Sequence, residues 1–112
     1  MTIAAITTND AAQAFSALGS EQRLQVLRCL VRAGPDGLAM GALSARAGLA
    51  PSTLTHHIQA LAAVGLVDQR REGRQMICAA AAFDLVNRLG AYLMAECCAD
   101  APENAARHKE HS

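Results

Sequence analysis

Hydrophobic positions recur every three or four residues over most of this chain, and that spacing predicts helices. Asn9 or Asp10 is placed to cap a first short helix running to about Leu18, with Phe15 and Leu18 three apart on one face. Gly19 stops it. Ser20 caps a second helix, where Leu24, Leu27 and Val31, with Val26 and Leu30 beside them, make a broad apolar stripe. The run Ala33-Gly34-Pro35-Asp36-Gly37 breaks that stripe. Leu38 to Ala47 reads as a third helix with Met40, Leu43 and Ala47 in register. After a tight turn at Ala47-Gly48-Leu49-Ala50, Pro51 takes the first position of a fourth helix, where its missing N–H costs nothing. Leu54, Ile58 and Leu61 form its apolar face, and Gly65 ends it.

The period then changes. Leu66 to Arg71 and Gln75 to Cys78 flank Glu72-Gly73-Arg74, which predicts a two-stranded hairpin with Gly73 in its turn. From Ala79 or Phe83 to Cys98 the helical spacing returns, with Phe83, Val86, Leu89, Leu93 and Met94 on one side. Ala99 to Ser112 is polar, contains Pro102 and carries no stripe, so a flexible tail is expected there. The expected architecture is mainly α with a small β-hairpin, in the order α-α-α-α-β-β-α. Residues 1–98 form one domain and residues 99–112 the tail. Two short helices about a glycine turn, followed by a hairpin, make a winged helix-turn-helix.

Composition adds an oligomeric expectation. A chain of 112 residues has the length of one domain. Hydrophobic residues make up 52% of it but aromatics only 3%, with no Trp, so the core is short of large side chains. Dimerisation is the expected way to bury more surface. The formal net charge of zero argues against a nucleic-acid partner, but the distribution reverses that reading. Residues 20–75 hold seven arginines and only four acids, enough to present a positive face to phosphate. No stretch is apolar enough to span a bilayer, and Met1 to Ile6 lacks the basic start of a secretory leader. The four cysteines are therefore expected as reduced thiols in a cytoplasmic protein.

Candidate chemistry lies in three places. Ser52, Thr53, Thr55 and His56 put small polar groups near the N-terminus of the fourth helix, where backbone approaches a major groove; Gln59 reaches further along it. On an isolated helix these would be only a solvated face, but the glycine turn before and the hairpin after favour DNA contact. Arg70, Arg71 and Arg74 around Gly73 supply cations for phosphates or a narrow minor groove. His57, next to Ile58, is expected to be half-buried and hydrogen-bonded. Cys97 and Cys98 are neighbours, about 100° apart on an ideal helix, so their sulfurs converge only if the helix frays before Pro102. Thiolates suit soft acceptors. The plainer reading packs one of the two in an interface. Cys29, among Leu27, Leu30 and Val31, is expected in the core, and His108 and His111 in the tail. There is no convergent carboxylate pair, phosphate loop or Ser/His/Asp arrangement, so neither an enzyme nor a catalytic cofactor is expected.

Particular runs carry a resemblance. Ala17-Leu18-Gly19-Ser20-Glu21-Gln22-Arg23-Leu24, the stretch from Leu49 to Leu61, and Gly65-Leu66-Val67 with Arg71-Glu72-Gly73-Arg74 together resemble the arsenical-resistance (ArsR/SmtB) family of bacterial repressors. The resemblance covers roughly residues 11–98. It implies a homodimer built through the first and last helices, bound to an inverted repeat in double-stranded operator DNA and released by a metal or metalloid. The family's Cys-x-Cys site on the third helix is absent, and the last helix has no histidine for a zinc-type site. Cys97 and Cys98 resemble the ligands of arsenite-sensing members, which implies trivalent arsenic (arsenite or methylarsenite) or antimonite as inducer. Those members commonly use three thiolates; Cys78 is the candidate third. A pair without a third thiol suits a methylated or aryl arsenical. The alternative is a thiol redox or persulfide sensor of the same fold. Members of that kind pair a cysteine on the second helix with one on the last, and Cys29 falls one position from the expected place. A non-DNA-binding assembly module is the reading from a different class.

Overall fold

The computed structural model describes residues 6–81 and 83–101, without the side chains of Phe83 and Asp84. The expectation that the start of the chain is not a secretory leader, as far as it concerns residues 1–5, the part of the expected tail from Pro102 on with His108 and His111, and the Phe83 side chain lie outside the described residues. The chain runs α1 (Thr8–Ala17), α2 (Glu21–Ala33), β1 (Leu38–Ala39), α3 (Met40–Ala47), α4 (Pro51–Ala63), β2 (Val67–Glu72), β3 (Gln75–Ala80) and α5 (Phe83–Met94). This is the mainly helical winged helix-turn-helix that the residue pattern predicts, with one strand added.

The added strand is β1. Its two residues pair antiparallel with β3, Leu38 with Cys78 and Ala39 with Ile77, giving a three-stranded sheet in the order β1-β3-β2. The expected third helix therefore starts at Met40 rather than Leu38. Two residues carry no period, so no alternation could signal the strand. Gly37 makes it possible. Its φ is +72°, and a Cβ there would sit 2.2 Å from the Cys78 carbonyl oxygen. Only a residue without a side chain lets the loop close onto β3.

Helix starts follow local chemistry. Thr7, rather than Asn9 or Asp10, caps α1 by accepting a hydrogen bond from the Asp10 N–H, and Ser20 caps α2 by accepting from Arg23 N–H. Pro51 occupies the first turn of α4 as expected. Gly48, in the left-handed conformation, ends α3 and makes the turn between the two helices.

The core gathers Val26, Leu27 and Leu30 of α2, Leu43 of α3, and Leu54, Ile58 and Leu61 of α4 over Val67 and Cys78 of the sheet and Leu66 just before it. Small residues Ala11, Ala14 and Ala17 seat α1 against this cluster, so its buried face is alanine and Phe15 stays 40% exposed. Leu24 and Val31, at the edges of the predicted α2 stripe, are also exposed. Within one chain α5 buries only part of its apolar side. Leu89 is inside, whereas Val86, Leu93 and Met94 are 43%, 69% and 55% exposed. A hydroxyl–hydroxyl bond between Thr8 and Tyr92 ties α1 to α5. No helix among the described residues is long and apolar enough to cross a membrane.

Candidate nucleic-acid interface and thiol site

The fourth helix splits cleanly into two faces. Leu54, Ile58 and Leu61 are wholly buried, while Ser52, Thr53, Thr55, His56 and Gln59 are exposed on the other side. Thr55 donates its hydroxyl to the Pro51 carbonyl at 2.9 Å, so its oxygen is left only as an acceptor. Ser52, Thr53, His56 and Gln59 keep their polar groups unengaged by the described residues.

Beside its apolar contacts, this helix is tied to α2 through His57, the residue expected from the sequence to be half-buried and hydrogen-bonded. His57 is buried, 8% exposed. Arg23 of α2 donates from Nε to His57 Nδ1 at 3.2 Å, which leaves the proton on His57 Nε2 to be donated to Gln22 Oε1 at 2.9 Å. Burial, then the Arg23 charge and that of His56, push the His57 imidazole below its ordinary pKa, so it is held neutral. Neutrality is what this geometry requires, because an imidazolium could not accept from Arg23. The pair bolts α4 to α2. Its sequence signal is weak, since only proximity of His57 to the apolar stripe hints at burial.

The wing is a hairpin of two six-residue strands in register from Val67↔Ala80 to Glu72↔Gln75, closed by Gly73 and Arg74. Gly73 has φ +61°, as the first corner residue of a type II′ turn needs. Its three arginines are not equivalent. Arg70 bonds Glu72 at 2.6 Å and reaches the Asp36 carbonyl at 2.9 Å, bracing the strand against the loop before β1. Arg71 and Arg74 are exposed with no such partner among the described residues. They are the wing's available cations.

The last helix ends at Met94, four residues before the predicted end. Beyond it the backbone turns repeatedly through bonds from Cys97 N–H to the Met94 carbonyl, Ala99 N–H to Glu96 and Ala101 N–H to Cys98. Cys98 has φ +63°, the one non-glycine in that region among the described residues. Such a conformation costs roughly 1 kcal/mol or more for a residue with a Cβ. It turns the two side chains together, and their sulfurs stand 3.5 Å apart. Cys97 is exposed and Cys98 half-buried. Loss of solvation, then the hydrogen bond and charge of Cys97, push the Cys98 thiol up. Two neighbouring thiols resist losing both protons.

Cys78 does not join this pair. It is fully buried at the centre of β3, its sulfur 3.4 Å from Met40 Sδ, and burial pushes its thiol up. Among the described residues no three His, Cys, Asp or Glu side chains come together as a metal site. The reason is topological: β3 is the central strand, and its inward face is covered by α2 and α3. Cys29, expected in the core, is half-buried and lines a cleft between α2 and α3 with Gln25, Arg28, Arg32, Arg46 and Ala47.

Comparison with known proteins agrees with this geometry. A family described as a helix-turn-helix domain matches residues 18–70, the segment from the end of α1 to the first half of the wing. Nodulation protein NolR of Rhizobium meliloti is 33% identical over 81 residues, 72% of this chain; the match spans 64% of that protein's length. The crystal structure of NolR from Sinorhizobium fredii superposes with a TM-score of 0.63 at 32% identity, covering 75% of this chain and 81% of that one. A homodimeric winged helix-turn-helix DNA-binding domain from Mycobacterium bovis, described as a possible ArsR-family regulator, gives 0.65 at 28% identity over 78% of each chain. An ArsR-like transcriptional regulator from Rhodococcus sp. RHA1 gives 0.69 at 25% identity over 93% of each. The exposed polar face of α4, the free wing cations and these likenesses agree: the chain is a winged helix-turn-helix protein of the same type as NolR and the ArsR-like regulators.

Proposed function

We propose that the protein is a homodimeric repressor, released from an inverted-repeat operator when a trivalent arsenic or antimony species binds Cys97 and Cys98. The observation that carries the reading is the 3.5 Å separation of the two sulfurs. Two thiolates on one atom, at the ~2.3 Å bond length known for zinc, stand roughly 3.3–3.8 Å apart for angles near 90–110°. The pair is thus already spaced for a shared soft acceptor, without rotation of either side chain. With two thiols and no third, it favours a methylated arsenical over arsenite. In methylarsenite both hydroxyls leave as water, each taking one thiol hydrogen, and two As–S bonds complete the arsenic. Arsenite bound the same way keeps one hydroxyl.

Dimerisation is supported by the apolar residues α1 and α5 leave uncovered: Phe15, Val86, Leu93 and Met94. These lie on the two helices joined by the Thr8–Tyr92 bond, and the Mycobacterium bovis relative is described as homodimeric. A dimer sets two recognition helices one helical turn of DNA apart. The cysteine turn follows α5 directly, so a ligand there acts on the contact that sets this spacing. It must bind the non-matching dimer geometry more tightly, or nothing shifts.

The test is a gel-shift titration on promoter DNA with methylarsenite, arsenite, antimonite and zinc, for the wild type and the Cys97→Ser/Cys98→Ser double variant. The variant is expected to bind DNA as the wild type does and to ignore every arsenical. Full release of the double variant by methylarsenite would overturn the assignment. Release by a mild oxidant but by no arsenical would instead favour thiol redox sensing by the same sulfurs.

A further inference from the structure

We propose that the cleft between α2 and α3 is a second anion site, formed by Arg28, Arg32 and Arg46, that takes a phosphate group. It is separate from the reading helix, the wing and the cysteine pair. The α2 half of it is plain in the sequence. Gln25, Arg28 and Arg32 follow one another at helical spacing, with Cys29 between, and so share one side of α2. Arg46 stands in the last turn of α3, just before the Gly48 turn. The fold brings these together around a cleft of about 310 Å³, and an adjoining hollow of about 320 Å³ is walled by Cys29, Arg32 and Arg46. A water occupies about 30 Å³ in the liquid, so there is room for a phosphate and its hydration.

The cluster lacks an internal answer. Arg23 is engaged by His57, and Arg70 by Glu72 and the Asp36 carbonyl. Arg28, Arg32 and Arg46 have no hydrogen bond or ion pair among the described residues. Arg32 and Arg46 each favour the carbonyl end of their own helix, which accounts for their places in the chain. It does not account for Arg28, nor for three arginines lining one cleft, an arrangement like charges oppose. A guanidinium fork matches the oxygens of phosphate in pairs, which an ammonium does not. The phosphate comes from one of two sources: the backbone of bound duplex, or a free phosphate in solution.

The experiment uses the full-length protein, the Arg28→Gln/Arg46→Gln variant, Arg32→Gln alone, and Arg46→Lys. Circular dichroism checks that each exposed substitution leaves the fold intact. Fluorescence anisotropy measures binding to a random-sequence duplex of about 30 base pairs over a salt series, since phosphate contacts ignore sequence. Calorimetry follows titration of inorganic phosphate into the DNA-free protein. If duplex is the source, the Gln variants flatten the plot of log K against log salt by about 0.9 for each phosphate no longer neutralised. If free phosphate is the source, the wild type gives a binding isotherm, the Gln variants give none, and the salt slopes coincide. In either case Arg46→Lys weakens binding at least about threefold, because it keeps the charge but not the fork. Parallel slopes with no phosphate isotherm, or an isotherm that persists in the Gln variants, would overturn the proposal. So would an Arg46→Lys protein indistinguishable from wild type. None of these outcomes bears on the cysteine pair, which the double serine variant tests separately.

Discussion

Replacing His57 by alanine tests whether the recognition helix is held by a neutral imidazole. The side chain is 8% exposed and joins Gln22 and Arg23 of α2 to α4. Its loss removes two hydrogen bonds, each worth about 1 kcal/mol net, since Gln22 is exposed and Arg23 half-buried and both can turn to water. It also opens a gap beside Leu54 and Ile58, toward the lower end of the ~2–5 kcal/mol range for large-to-small core changes, because the site borders polar groups. The expected destabilisation is about 2–4 kcal/mol, or roughly 10–20 °C in Tm for a domain of this size. Urea melts at one fixed protein concentration measure it, since oligomers couple stability to concentration. The pH dependence carries the sharper signature. In the unfolded chain the imidazole takes up a proton as pH falls through about 6.5; in the native chain burial and Arg23 hold that pKa lower. Below about pH 6.5 the unfolded state therefore binds more protons, and native stability falls until the native imidazole also titrates. His57→Ala lacks this loss, so the stability gap between the two proteins should shrink from pH 7.5 toward pH 5.5. A gap that stays constant or widens on acidification would refute the neutral-imidazole account, as would a destabilisation below about 1 kcal/mol.

Other outcomes follow from the same geometry. Arg74→Ala should weaken binding to all duplexes alike and reduce the salt slope by about 0.9, measured by anisotropy. Arg70→Ala should change that slope less, because Arg70 is engaged by Glu72 and Asp36; its exposed ion pair contributes at most about 1 kcal/mol to a urea melt. Gly37→Ala should lower stability by more than about 2 kcal/mol, combining the left-handed backbone with the approach to Cys78, and thermal melts report it. Leu93→Glu should yield monomers by light scattering and abolish operator binding while keeping the helical circular dichroism of the fold. Arsenical binding exchanges thiol hydrogens for water, so its affinity should stay level from about pH 6 to 8, whereas zinc displaces protons and should bind more tightly as pH rises; competition gel shifts distinguish the two.

Where the chain announces itself, it does so through period. Leu54, Ile58 and Leu61 recur at helical spacing, and all three are wholly buried; the exposed polar face of α4 is then forced on the remaining positions. Gly48, Pro51 and Gly73 mark the helix-turn-helix and the wing because turns at those points need their particular backbone freedom or constraint. Such signals are local, and neighbouring residues are enough to read them. The tertiary structure decided what depends on residues distant in the chain. It placed β1 beside β3 through the missing side chain of Gly37, sent Arg70 to Asp36 instead of to solvent, and drew Arg28, Arg32 and Arg46 to one cleft. It sealed Cys78 beneath Met40 and ended α5 early enough for Cys97 and Cys98 to meet. Cysteine and arginine carry no period of their own. Their chemistry is set by which groups packing brings within a few ångströms, and local spacing holds no record of that.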